Sequence, residues 1–432
     1  MRRPGPWLAL AIVVGVAVRI ALLPTNGYAD DLTQFVEWVR HIALTGLPNA
    51  YDAPLSFGPV MAFVWGILAA VDPVFRTAID ASDLGVRILL KLPGTLADFG
   101  LAAGVWYALR ARPGWAAAGA ALILLHPAIW FVSAWWGQYE SIFALLVLVA
   151  YLFASAGRDA LAVVALTAAL LTKPQVAPLV VPFAAWFLAR IGWRSPASIG
   201  RLAVLGVVAL ATTAVLWLPF LAAAGPAKYL ANLATYQNDV YSVLSLNAWN
   251  LWWLVQELFA GGSLVGDNQA FIGPLPFRIV GFALTGLLLV AVGYGVYRRP
   301  TARMLALGLA AAALVAFAFL TTMHERYAYA AVIFLALLID DRRARWIALA
   351  LGIVFTLNLA AAASKDYLGG VLDVTGPVGI AGAVAMVVIA LALVFEVLRA
   401  SGASASGASA ATTGEGMPRD TSAGSAGATS GA

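Results

Sequence analysis

The sequence predicts an all-α fold, a polytopic transmembrane helical bundle. Three observations carry that reading. The chain of 432 residues is 62% hydrophobic and only 11% charged, less than half the charge of an ordinary soluble domain, which carries roughly a quarter. Apolar runs of roughly 20 residues recur along it, the length a helix needs to cross a bilayer. The runs are continuous and rich in Ala, Leu and Val, without strict alternation, so helices rather than a closed barrel satisfy the backbone within lipid.

The basic residues set the boundaries of each span, because cytoplasmic loops of membrane proteins are enriched in Lys and Arg. Clusters occur at Arg2-Arg3, Arg110-Arg112, Arg158, Arg190-Arg194-Arg201, Arg298-Arg299-Arg303, Arg342-Arg343-Arg345 and Arg399. With all of them in the cytoplasm, the spans run about 7–24, 87–109, 114–131, 139–156, 159–172, 175–190, 201–222, 276–297, 303–322, 326–340, 345–363 and 375–398. That makes about twelve, in a range of ten to thirteen, with both termini cytoplasmic. The first run follows "MRRPG" and mimics a signal peptide. Its apolar core is too long and it ends "LLPTNGY", so it reads as a retained span. The pI of 9.5 invites a nucleic-acid partner. The basic residues are dispersed in short loops as topology signals, so no nucleic acid is expected. The chain has no cysteine, which excludes disulfides and thiolate chemistry.

Residues 1–400 read as one membrane domain with two long connections outside the cytoplasm. Residues 25–86 mix an apolar stretch, "VMAFVWGILAAV", with Asp30, Asp31, Glu37, Arg40, His41 and Asp52, and are expected to form helices lying at the membrane surface. Residues 223–275 contain "KYLANLATYQNDVYSVLSLNAWNLWWL". Its aromatics suit an interfacial belt, and Asn beside Trp, Asn247 included, equally suits sugar recognition. Residues 401–432 are low-complexity Ser, Gly and Ala and are expected to be a disordered cytoplasmic tail.

Ionisable residues beside spans are costly and mark candidate chemistry. In "YADDLTQFVEWVRHI", Asp31, Gln34 and Trp38 share one helical face. One Asp at a helix start serves as an N-cap; the adjacent second carboxylate is a candidate general base at the membrane surface. In "HPAIWFVSAWWGQYESIF", Trp135 and Trp136 suit a belt, whereas Gln138 and Glu140 need a polar cavity. Lys173 in "LTKPQVAP" lies away from the cytoplasm, where it either snorkels or meets an anion. In "TTMHERYAY", Arg326 offers a planar fork for phosphate oxygens, His324 can donate to one, and Glu325 can orient either; an internal Glu–Arg pair is the competing reading. Walker A, dinucleotide, CxxC and HExxH signatures do not occur, so nucleotide-driven and zinc chemistry are disfavoured.

In this order the segments resemble the GT-C superfamily of integral membrane glycosyltransferases. The likeness is strongest to the dolichyl-phosphate-glucose glucosyltransferases of N-glycan assembly and to bacterial relatives described as mannosyltransferases. "DDLTQFVEW" is similar to the family's acidic residue followed by Gln and Trp, which places the catalytic position at Asp31, with Asp30 as the neighbouring alternative. "SFGPVMAF" keeps only Pro59 of a Tyr-Pro-Pro stretch. "RILLKLPGTLADF" matches the second span with its inner Asp, here Asp98. "HPAIWFVSAWWGQYES" carries His126 and Glu140 in place of Asn and Asp. "TKPQVAP", "SLNAWNLWWL" and "MHERYAY" resemble the remaining motifs.

The resemblance implies an inverting transfer of a hexose, mannose first and then glucose, from a polyprenyl-phosphate-linked donor to a hydroxyl of a glycan or glycolipid acceptor, polysaccharide or protein. Asp31 would accept the hydroxyl proton. Arg326, His324 and Lys173 would hold the departing phosphate, with Glu325, Gln138, Glu140, Trp136, Gln34, Trp38 and Asn247 supporting them or binding sugar. Fixed positive charge worth roughly 3–4 kcal/mol per well-placed donor suffices for a weakly basic leaving group, so neither a metal nor another cofactor is expected. An Ala- and Arg-rich, cysteine-free composition suggests a bacterial plasma membrane. The rival reading is a secondary transporter or lipid-linked-sugar flippase. It lacks the internal repeat and midplane polar residues such proteins show.

Overall fold

The computed structural model describes residues 5–367, 370 and 372–411. The Arg2-Arg3 pair and the tail from 412 onward lie outside the described residues. The chain is almost entirely helical. Helix α1 (Gly5–Leu22) is followed by two surface helices, α2 (Ala29–Thr45) and α3 (Pro59–Val71), then by α4 (Leu84–Leu109), α5 (Pro113–Leu125) and the short α6 (Pro127–Trp130). A π-helical segment, Phe131–Trp136, leads to α7 (Glu140–Ser155), α8 (Asp159–Leu170), α9 (Val180–Ile191) and α10 (Pro196–Trp217). Helix α11 (Gly225–Thr235), strand β1 (Ser245–Leu246), α12 (Leu251–Ala260) and the hairpin β2 (Ala270–Ile272) with β3 (Leu275–Pro276) form the second long connection. The chain ends with α13 (Phe277–Arg298), α14 (Ala302–Phe319), β4 (Met323–His324), α15 (Tyr329–Ala336), α16 (Arg342–Tyr367) and α17 (Gly376–Ala411).

Each of the twelve expected spans falls on helix. Among the described residues, eight helices are long and apolar enough to cross a bilayer, nine when α5 and the bent segment after it count as one. The others, α7, α8 and α15, have 16, 12 and 8 residues. They are short because polar segments cut them: Gly137–Tyr139 ahead of α7, Thr172-Lys173-Pro174 after α8 and Leu320–Ala328 before α15. Helix interruption at membrane depth is tolerated where the freed backbone lines a cavity or is buried in protein. Helix α17 runs to Ala411, so residues 401–411 are helical where a disordered tail was expected. They extend an apolar helix already nucleated, and their alanines favour propagation.

The basic loops meet at one end. Arg112 and Arg303 both pair with Asp340, Arg303 with Asp341, and Arg343 with Glu396. Arg190 donates to the Ala154 carbonyl. The long connections gather at the opposite end. There α2 is amphipathic: Leu32, Phe35, Val36, Val39 and Ile42 are buried at the i, i+3, i+4 spacing of one helical face. They enter an aromatic cluster with Phe57, Trp65 and Tyr139. Trp38, expected to support the site or bind sugar, is 1% exposed and packs 5.1 Å from Trp65. Its bulk holds α2 down. Edge and tilted ring pairs of this kind are worth about 0.5–1.5 kcal/mol each beyond their buried area.

A second buried node ties the bundle together. Asp98 of α4 accepts from Arg19 Nε at 2.9 Å, Ser133 at 2.6 Å, Ser141 at 2.7 Å and Tyr329 at 3.2 Å. Arg19 also donates to the Gly15 and Leu124 carbonyls. Five elements converge on one carboxylate.

Candidate active site

Asp30 and Asp31 both lie in the first turn of α2, whose N-cap is Tyr28. Neither is the cap, so the simplest structural account of the pair fails; both merely favour the positive end of the helix dipole. Asp30 is exposed and is not among the residues lining the cavity described below. Asp31 lines it. Trp136 Nε1 donates to Asp31 Oδ2 at 2.8 Å and Gln138 Nε2 donates to the same oxygen at 2.5 Å. Among the described residues no hydrogen bond reaches Oδ1, which is left free on a carboxylate fixed in orientation.

Two glycines make this approach possible. Gly27 has φ +58°, and a Cβ there would meet the Trp135 carbonyl at 2.2 Å. Gly137 has φ +93° and its Cβ would meet Leu32 at 2.5 Å. Only glycine permits both the left-handed backbone and the close contact. The start of α2 therefore presses against the π-helical turn that carries Trp136. Trp136 is 2% exposed and stacks on Tyr28 at 4.6 Å, which holds the indole N–H on Asp31.

The cavity has a volume of about 790 Å³ and two parts. Its polar head is formed by Asp31, Gln34, Gln138, Lys173, His324 and Arg326, with Gln175, Tyr236, Gln237, Tyr241 and Tyr327 around them. Its apolar arm runs between α9, α13 and α14, past Ala177, Val181, Phe282, Leu289, Ala313 and Phe317. One end suits a polar, anionic group and the other a hydrocarbon chain.

The cations in the head are already partnered. Lys173 Nζ lies 2.6 Å from Glu140 Oε1, and Arg326 Nε lies 3.5 Å from the same oxygen. Arg326 Nη1 donates to Glu325 at 2.8 Å and approaches His324 Nδ1 at 3.4 Å. Glu140 and Glu325 are fully buried behind the cations and do not line the cavity. Burial, then the charges of Arg326 and Lys173, push His324 well below the ordinary histidine range, so its ring is neutral here. Burial raises Glu325, against the pull of Arg326.

His324 is placed by a two-residue parallel sheet. Strand β1 pairs with β4, Leu246 opposite His324. Asn247, expected to support the site or bind sugar, does not line the cavity. It takes a left-handed turn at φ 57° and its carbonyl accepts from Asn358 at 2.7 Å. Trp249, Trp252 and Trp253 are buried, and Asn250 caps α12 by accepting from Trp253 N. The Asn- and Trp-rich stretch thus builds the frame for His324. The groups that face the cavity, Tyr236, Gln237 and Tyr241, come from the "TYQNDVY" just before it. Gln34 Nε2 donates to Tyr236 at 2.7 Å, and the Tyr241 ring sits 5.1 Å from His324. Their density in the sequence was visible; their place was not, because it depends on a π-helical turn at Tyr236–Val240. Gln175 and Tyr327 were likewise passed over beside Lys173 and Arg326.

Asp31, Gln34, Gln138, Lys173, His324 and Arg326 are therefore brought to one cavity, with Trp136, Glu140 and Glu325 directly behind it, while Trp38, Asn247 and Asp30 are not. A search of curated proteins returns no match. The model of the ALG6, ALG8 glycosyltransferase family matches residues 97–365, which begins after Asp31 and covers every other motif of the cavity head. Over half the chain is matched, the architecture is a polytopic helical bundle of the GT-C kind, and the chain belongs to the ALG6, ALG8 glycosyltransferase family.

Proposed function

We propose that the protein transfers a hexose, with inversion, from a polyprenyl-phosphate donor to a hydroxyl of a glycan or glycolipid outside the cytoplasm. The observation that carries this reading is the cavity itself. One fixed carboxylate with a free oxygen faces the same space as Lys173, His324 and Arg326, and that space continues into an apolar arm. Asp31 Oδ1 accepts the acceptor proton as its oxygen attacks the anomeric carbon. The bond to the phosphate oxygen breaks, and the electron pair stays on the phosphate, beside the cations. The apolar arm takes the first isoprene units of the carrier. The cations act in place of a metal, and no cofactor takes part. The sequence reading ranked mannose ahead of glucose; the family match together with the motifs similar to dolichyl-phosphate-glucose enzymes favours glucose. The basic end of the bundle is assigned to the cytoplasm and the cavity to the other face, in a bacterial plasma membrane. Residues 1–400 act as one domain. A transporter role is not carried further, given membership of a glycosyltransferase family.

The test is release of polyprenyl phosphate from glucose- and mannose-bearing donors by purified protein, with membrane extract as the source of acceptor. Turnover that survives EDTA is expected, faster with glucose. Loss of turnover on chelation, restored by a divalent ion, would overturn the metal-free mechanism. No turnover of either donor would overturn the activity.

A further inference from the structure

The cavity head does not balance electrically for the ligand assigned to it. Among the described residues, three carboxylates surround it, those of Asp31, Glu140 and Glu325. Only two fixed cations face them, Lys173 and Arg326, and each is already in contact with a carboxylate. Glu140 and Glu325 are almost wholly inaccessible, with 0% and 3% exposure. A donor phosphate adds one more negative charge to a space walled by aromatic and apolar side chains, where an uncompensated charge is expensive.

We propose that binding of the lipid phosphate in this cavity takes up one proton, and that His324 carries it. The inference rests on the functional reading above and concerns how the same site accommodates its anion. His324 gains a proton at the smallest cost in existing contacts: it gives up only the 3.4 Å approach of Arg326, whereas Asp31, whose Oδ1 is also open, must stay ionised to act as the base. Protonating Glu140 would weaken its contact with Lys173, and protonating Glu325 would weaken its bond from Arg326. The geometry also defines what the proton does. Arg326 can only donate, so its 3.4 Å contact with His324 Nδ1 requires that nitrogen to be unprotonated and puts the single ring proton on Nε2. Glu325 Oε2 lies 4.0 Å from the same Nδ1. Once Nδ1 is protonated it repels Arg326 and attracts Glu325. His324 then takes over part of the carboxylate that Arg326 was neutralising, and the guanidinium is released towards the phosphate.

The surroundings agree with this exchange. Facing the imidazole are Tyr241 at 5.1 Å from the segment before β1 and Tyr327 at 5.2 Å from its own segment. Arg326 and Lys173 are the charges acting on it; Asp31 of α2 lines the same cavity, and Glu140 of α7 pairs with Lys173. In the unliganded cavity burial, then the charges of Arg326 and Lys173, disfavours a charged imidazole. A phosphate beside them offsets the two cations and supplies a counter-charge for the imidazolium.

Calorimetric titration tests this directly, with citronellyl-phosphate-glucose and citronellyl-phosphate-mannose as probes, in two buffers of different ionisation enthalpy at about pH 6. These phosphodiesters stay monoanionic across the range, so they contribute no proton. The expected result is a buffer-dependent enthalpy corresponding to about one proton taken up per probe bound, with affinity falling up to about tenfold per pH unit between about pH 5 and 7. In His324→Gln, weakened binding with no buffer dependence is expected. Binding to the wild type with identical enthalpy in both buffers would overturn the proposal, and that measurement decides uptake whatever the variant does. Uptake that persists in His324→Gln would overturn the assignment to His324 and move it to one of the carboxylates, Asp31, Glu140 or Glu325. Failure of both probes to bind would overturn the functional reading of the cavity, and this inference with it.

Discussion

Asp98 and Asp31 are both carboxylates held by neighbouring elements within the same bundle, yet they are built in opposite ways. Each oxygen of Asp98 receives two donors, Arg19 and Ser133 on one, Ser141 and Tyr329 on the other. Asp31 receives two donors as well, but both on Oδ2. A carboxylate with every lone-pair direction filled has nothing left to react with and serves as a fastening. One fixed through a single oxygen keeps the other for chemistry. The difference separates a structural charge, fully buried Asp98, from the proposed base, cavity-lining Asp31.

The largest break in that comparison is expected from Asp31→Asn. It keeps shape and the neighbouring contacts but removes the proposed base, so turnover should fall roughly 100- to 10,000-fold with an unchanged Tm in detergent. A substantial fall in Tm would place Asp31 beside Asp98 as a structural residue. Asp98→Asn should do the reverse. It leaves Arg19 buried without its counter-charge, at a cost of about 3–5 kcal/mol, seen as a lower Tm, while the folded fraction keeps its specific activity. The double variant Arg19→Leu/Asp98→Leu should recover part of that loss, because the penalty comes from the stranded charge.

Arg326→Gln sharpens the contrast within the site. It removes the fork proposed to hold the donor phosphate and should lower turnover roughly 100- to 1,000-fold, measured with a saturating donor so that binding and chemistry separate. The smallest effect is on stability against pH. The folded protein holds His324 below its unfolded value of roughly 6.5. The unfolded chain then binds the proton first, so the contribution to stability is complete above that value and declines as pH falls beneath it, by up to about 1.4 kcal/mol per unit. Unliganded wild type should lose Tm between about pH 6.5 and 5 more steeply than His324→Gln. Equal slopes would mean the imidazole is not held neutral.

How far the site could be read in the sequence depended on what kind of distance was involved. Helical periodicity correctly put Asp31, Gln34 and Trp38 on related directions of α2. It could not separate them along the axis. Trp38 lies seven residues on, about 10 Å further down the helix, where it packs behind Phe57, which lines the cavity, and against Trp65. Gln34 and Asp31 sit at the end that meets Gln138 and Tyr236. Similarly, "SLNAWNLWWL" was legible as a special stretch, but the choice between supporting the site and binding sugar was not. The Asn247 backbone and the Trp249, Trp252 and Trp253 rings proved to be a frame, because β1 must pair with β4 to aim His324. The Glu140–Lys173–Arg326–Glu325 arrangement joins residues far apart in the chain, and nothing local in "WGQYES" or "TKPQ" announces its partner.

Hydropathy, charge bias and the absence of cysteine determined that this chain is a helical membrane protein, roughly where its helices fall, and which ionisable residues are too costly to be incidental. They could not determine which helices form the centre. Helix α14 and the span that begins with α10 have mean hydropathies of 2.0 and 2.2, yet 83% of the first and 6% of the second is buried within the protein. In water an apolar surface must hide, so hydropathy foretells burial. In a bilayer lipid is as good a neighbour as protein, and packing alone chooses between them. The same choice of neighbours, made by the tertiary structure, left one oxygen of Asp31 without a partner among the described residues.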